Sequence, residues 1–192
     1  MNTPILIKKQ TNIVQFIEFW SVFYLYNEDK ESVYIDNINK RIFNGEILLS
    51  LYEWKNGSML SQKKRKSFEK KLLAKIEIIN ALKGKFNLDK FKKEFNNVSL
   101  IWKIFLLHII NPVVYPIFDQ HVFRAMKYIK FSKIEEIPFD EKEKEKFYFN
   151  EYINFFDKIK LGLPQDFNNK KIDEALWSFG KFLKSSYKKI TI

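Results

Sequence analysis

Asp119 is the residue in this chain best placed to do chemistry. It stands directly before a stretch in which Val122, Met126 and Ile129 recur at helical spacing and are expected to face inward, so its carboxylate is a natural N-cap. Free backbone N–H groups and the helix dipole favour an ionised acid at that place. A fixed anion beside a pocket can stabilise positive charge as it develops in a transition state. Gln120, Arg124 and Lys127 share one side of the same helix, with His121 beside them, and together make a basic strip next to the carboxylate. The plainer reading of the same residues is a capped helix with a solvated polar side.

Two other places carry chemistry. Lys103 lies in the mostly apolar run from Ser99 to Ile110. Either burial lowers its pKa and frees its amine as a nucleophile, or it snorkels to solvent beside Ser99. Trp54, Lys55, Asn56 and Gly57 form a turn after a helix and are followed by Lys63, Lys64, Arg65 and Lys66. Aromatic and basic residues clustered in this way can contact a base and its phosphates. A buried Trp beside a solvated basic turn is the simpler account. His108 has few functional partners in the sequence and reads as a core histidine bonded to a carbonyl. The chain has no Cys, which removes disulfides, thiolate metal sites and a Cys nucleophile.

The segment from Asn111 to Ile129 resembles the catalytic stretch of helix-hairpin-helix DNA glycosylases of the endonuclease III class. In that family a loop with Pro leads to Val, Asp, Thr, His, an aliphatic residue, an aromatic or polar residue, and Arg. Here Ile117 to Arg124 reads Ile, Phe, Asp, Gln, His, Val, Phe, Arg. Asp119 falls on the family's catalytic aspartate, and His121, Val122 and Arg124 match around it, while Gln120 stands in place of the usual Thr. The family's hairpin, of the form LPGVGxKTA, holds a phosphate on its backbone N–H groups. The corresponding Phe95 to Phe105 reads FNNVSLIWKIF and has no glycine, so the hairpin is degenerate, with Asn96 and Asn97 standing in for glycine in the turn. In lyase-competent members a hairpin Lys attacks the sugar. The nearest lysine here is Lys103, closer to Asp119 than the family spacing, and the aligned position reads Ile101 or Leu100. The absence of Cys excludes the iron–sulfur variant.

The elements that must position these residues all read as helices. Gly and Pro number five each and fall mostly between apolar-periodic segments, and no stretch alternates with period two. The pattern predicts helices from Ile13 to Tyr26, from Ile35 to Trp54 with a break near Gly45, and from Ser58 to Lys83. Between the first two lies a charged connector, NEDKES. Leu88 to Phe95 is a short amphipathic piece. Ser99 to Ile110 is apolar nearly all round and belongs inside the protein. After the loop NPVVYPIF come helices from Asp119 to Ile129, from Asp140 to Lys160 with a solvated EKEKEK start, and from Ile172 to Tyr187. In the last of these, Gly180 permits close helix packing and Trp177 with Phe179 to Phe182 closes the core. The expected fold class is all-α, with about seven to nine helices. It should form one domain over 1–192, with or without a small lobe from its two ends, resembling the helix-hairpin-helix glycosylase barrel.

Composition sets the outer limits. Hydrophobic residues make up 46% of the 192 residues and aromatics 17%, enough apolar area for a packed core. The start MNTPILIKKQ lacks the order of a signal peptide, and polar residues and prolines break the apolar stretch Leu100 to Phe118, so no membrane partner is expected. The expected location is cytoplasmic, on the nucleoid in a bacterium. The net charge of +11 suits a polyanion, although an AT-rich genome alone would raise the Lys count. The resemblance implies a DNA base-excision glycosylase that flips a damaged or modified base from duplex DNA and hydrolyses its N-glycosidic bond, with no metal and no organic cofactor. Asp119 and Lys103 would be the catalytic residues. His121, Arg124, Lys127, Trp54, Lys55, Lys63, Lys64, Arg65 and Lys66 would contact DNA. A non-catalytic nucleic-acid-binding protein on the same scaffold is the main rival, and a helical interaction protein is the third reading.

Overall fold

The structure is a computed structural model that describes residues 11–25, 28–165 and 167–184. Every regular element among them is helical. In chain order these are α1 (Ile13–Ser21), α2 (Glu28–Ile38), α3 (Gly45–Asn56), α4 (Gln62–Lys71), α5 (Ile76–Gly84), α6 (Leu88–Glu94), α7 (Leu100–Ile110), α8 (Gln120–Phe131), α9 (Glu141–Phe147), α10 (Ile153–Leu161) and α11 (Asn169–Lys184). A 3-10 turn, Leu73–Lys75, joins α4 to α5, and a π turn, Tyr148–Tyr152, joins α9 to α10. With each joined pair taken as one, the described residues form nine helices. None is long and apolar enough to cross a membrane.

Contacts divide the chain into two compact units. The first takes the described residues of Met1–Leu25 and Phe118–Ile192, and the second those of Tyr26–Ile117. In the first unit α11 packs on both α1 and α8. The α8–α11 crossing depends on Gly180, because a Cβ there would sit 1.9 Å from the carbonyl oxygen of His121. Only a residue without a side chain permits that approach. Phe179 anchors the α1 side, with ring centroids 5.2 Å from Phe16 and 5.0 Å from Trp20. The inner face of α8 is Val122, Phe123, Ala125 and Met126. Ile129, expected on that face, is exposed instead.

In the second unit α7 is buried along most of its length, as its all-round apolar sequence requires. Its His108 is fully enclosed. Nδ1–H donates to the carbonyl of Tyr115 at 2.7 Å, which leaves Nε2 to accept from the Tyr34 hydroxyl at 2.7 Å. Lys83 ties two helix ends by donating to the carbonyls of Ile38 and Ile109, at 3.1 and 2.8 Å. Gly57 ends α3 in the left-handed conformation, φ 76°, where glycine is favoured.

Several boundaries differ from the sequence pattern. The charged connector NEDKES is largely helical and opens α2. The break expected near Gly45 is present, with α3 starting there under the cap of Asn44, whose side chain accepts from Ile47 N, but the helix before it ends at Ile38. The long helix expected from Ser58 to Lys83 begins after its cap, Ser61, and breaks at the 3-10 turn. α1 ends at Ser21 and α11 begins at Asn169. Tyr26 and the residues beyond Lys184, assigned to helices from the sequence, lie outside the described residues.

Candidate active site

Asp119 occupies the N-cap of α8 in extended backbone, φ −158° and ψ −175°. Its Oδ1 accepts from His121 N at 2.8 Å and from Val122 N at 3.2 Å. Two donors at a helix N-terminus fix the carboxylate and favour its charge. The residue is half-buried, so the acid is neither sealed in the core nor standing clear of it. Phe118 pins the approach to the cap. Its ring packs on Tyr152 at 5.1 Å and on Tyr148 at 5.4 Å, both from the π turn and both fully buried. Interruptions of this kind in α-helices recur at functional sites.

The strip beside Asp119 differs from its expected form. Arg124 is 0% exposed and therefore faces inward. Its Nη1 donates to the carbonyl of Gly180 at 2.8 Å and its Nη2 to Glu136 at 2.7 Å. In this conformation it buttresses the α8–α11 crossing and presents no guanidinium to a phosphate. Lys127 pairs with Glu135 at 2.7 Å and lies over the rings of Phe123 and Phe131. His121 is half-buried, with its Nδ1 3.4 Å from Arg124 and its ring against Trp177 at 5.2 Å. Burial lowers its pKa below the ordinary value; Asp119 pulls the other way and Arg124 adds to the lowering. At neutral pH this histidine is an uncharged imidazole. Gln120 alone of these residues is well exposed.

The remaining candidates belong to the second unit. Lys103 is half-buried on the first turn of α7, where its backbone N–H donates to Ser99. The turn between α6 and α7 is closed by Val98 N donating to the carbonyl of Phe95 at 3.1 Å, and Lys71 Nζ donates to the carbonyl of Asn97 at 2.6 Å. Asn96 and Asn97 do not take the left-handed backbone that would make them substitutes for glycine, since Ser132 is the non-glycine residue with positive φ among those described. Trp54 is a core residue. It is 7% exposed, stacks on Tyr34 at 4.4 Å and donates Nε1–H to Glu31 at 3.2 Å, so no face is left for a base. Lys55 is half-buried. Lys63, Lys64, Arg65 and Lys66 are exposed on α4, with Lys64 bonded to Asn56 at 2.5 Å and Arg65 paired with Glu69 at 3.3 Å.

Asp173, on α11, escaped the sequence reading. It is 5% exposed, an unusual setting for a carboxylate, and its sequence signal is an acid on the mostly apolar face of that helix. Among the described residues no group of three or more His, Cys, Asp or Glu side chains could hold a metal ion. Comparison of the chain with protein-family models, with curated proteins and with solved structures gives no match.

Proposed function

We propose that the protein is a DNA N-glycosylase, which draws a damaged or modified base out of the duplex and hydrolyses its bond to the sugar. The observation that carries this reading is the Asp119 carboxylate, held by two backbone donors at the start of α8 and partly open to solvent. It stands within the sequence word that resembles the catalytic stretch of helix-hairpin-helix glycosylases. As the bond to the base lengthens, positive charge grows on the sugar, and a fixed anion stabilises that charge more than the neutral ground state. The same carboxylate can take a proton from the attacking water. The exposed run Lys63 to Lys66 supplies phosphate contacts, and these offset the cost of unstacking the base. Free base released from duplexes carrying alkylated, oxidised or deaminated bases, measured with the purified protein, tests the reading.

A second reading is favoured by the α6–α7 turn, which has no glycine and no left-handed residue with which to cradle a phosphate. On it the chain binds nucleic acid without excising anything. Tight duplex binding with no base released from any substrate selects this alternative.

A further inference from the structure

Tyr152 closes the π turn with its side chain fully buried. Among the described residues its hydroxyl has no hydrogen-bond partner. A buried polar group left in that state is costly, and such groups commonly mark the seat of a bound polar molecule. The ring of Tyr152 rests on Phe118, the residue before Asp119. Asp173 reaches the same unit's interior from α11. It lies two turns before Gly180, so it shares the helix face that Gly180 presses against α8. Burial raises the Tyr152 pKa well above its ordinary value, and the charges of Asp173, Asp119 and then Tyr148 raise it further. The phenol therefore keeps its proton and is a donor.

We propose that Tyr152 and Asp173 form an internal polar seat which, with Asp119 at its rim, holds and orients the water consumed in base excision. A water molecule has two hydrogens and two lone pairs. The carboxylates of Asp119 and Asp173 accept the hydrogens, the tyrosine donates to one lone pair, and the other faces the sugar. In the reaction the water oxygen bonds to C1′, and the C1′–N bond breaks with its electron pair passing to the departing base. The water's proton passes to Asp119 and from there to solvent. Tyr152 and Asp173 are positioning residues, because they act through the water. Their catalytic part rests on the glycosylase reading, whereas the seat itself does not.

Two measurements on the full chain test this. The first is single-turnover base release by Tyr152→Phe, which keeps the ring, and by Asp173→Asn. Each should lower the maximal rate by about tenfold or more, while the protein concentration giving half that rate stays unchanged. The second is a high-resolution crystal structure, in which an ordered water should bridge the Tyr152 hydroxyl and Asp173. Wild-type release rates in Tyr152→Phe would overturn the positioning role. A water-bridged pair in a chain that releases no base would retain the seat and remove the glycosylase reading. A dry Tyr152 hydroxyl would overturn the seat whether or not base is released.

Discussion

At His121 burial outweighs the opposing charge of Asp119, which sets a direction for the pH dependence of stability. Its folded pKa lies below the ordinary 6.5, so the unfolded chain takes up the proton first as pH falls. The group's contribution is complete above about pH 6.5 and is lost as pH falls through the folded value. Urea unfolding of the wild type should therefore weaken between about pH 7 and about pH 5 by more than that of His121→Gln. Equal losses in the two proteins would place the acid sensitivity elsewhere. Lys103 calls for a different test, since on the glycosylase reading its amine is needed only for strand cleavage. Lys103→Ala should keep base release within about threefold of the wild type and abolish any strand cleavage on a denaturing gel. Loss of base release from a folded Lys103→Ala protein would make that amine the essential nucleophile.

The α8–α11 pair is the element on which the site's geometry rests. Gly180→Ala places a Cβ 1.9 Å from a backbone oxygen, which neither helix can accommodate without moving. The expected loss is about 1–3 kcal/mol or more in urea unfolding. Arg124→Met leaves the Gly180 carbonyl without its guanidinium donor, while Glu136, 61% exposed, can return to water. That argues for about 1–3 kcal/mol, below the cost of stranding a fully buried charge. An unchanged unfolding midpoint in either variant would contradict this account of the crossing. Gly180 was legible in the sequence because glycine inside an aromatic helix face has few other uses. Asp119 was legible as a cap because cap chemistry is local, and α7 because its apolar pattern has no polar face. The start of α2 was not legible, since a run as charged as NEDKES looks like a loop until neighbours bury its later turns. Arg124 was read as a surface group because its partner, Gly180, lies far off in sequence, whereas a buried Trp54 was already the simpler account of its turn. Tyr152 and Asp173 were missed for the same reason, as only folding brings π turn and α11 into one unit.

At the scale of the whole molecule the net charge of +11 matters more than any single pair. Each phosphate neutralised adds about 0.9 to the steepness with which the logarithm of the duplex affinity falls with the logarithm of salt concentration. Replacing Lys63, Lys64, Arg65 and Lys66 together by Ala should flatten that dependence and weaken all duplexes alike, as measured by fluorescence anisotropy across a salt series. An unaltered slope would remove α4 from the proposed DNA surface. Asp119→Asn isolates the charge at the start of α8, because asparagine caps a helix about as well as aspartate but carries none. The most direct measurement is single-turnover release of base by wild type and Asp119→Asn from the same damaged duplex. A catalytic role for Asp119 predicts a fall of about 10²- to 10⁴-fold, with folding and duplex affinity retained. Equal rates in the two proteins, or no release by the wild type from any duplex, would contradict it.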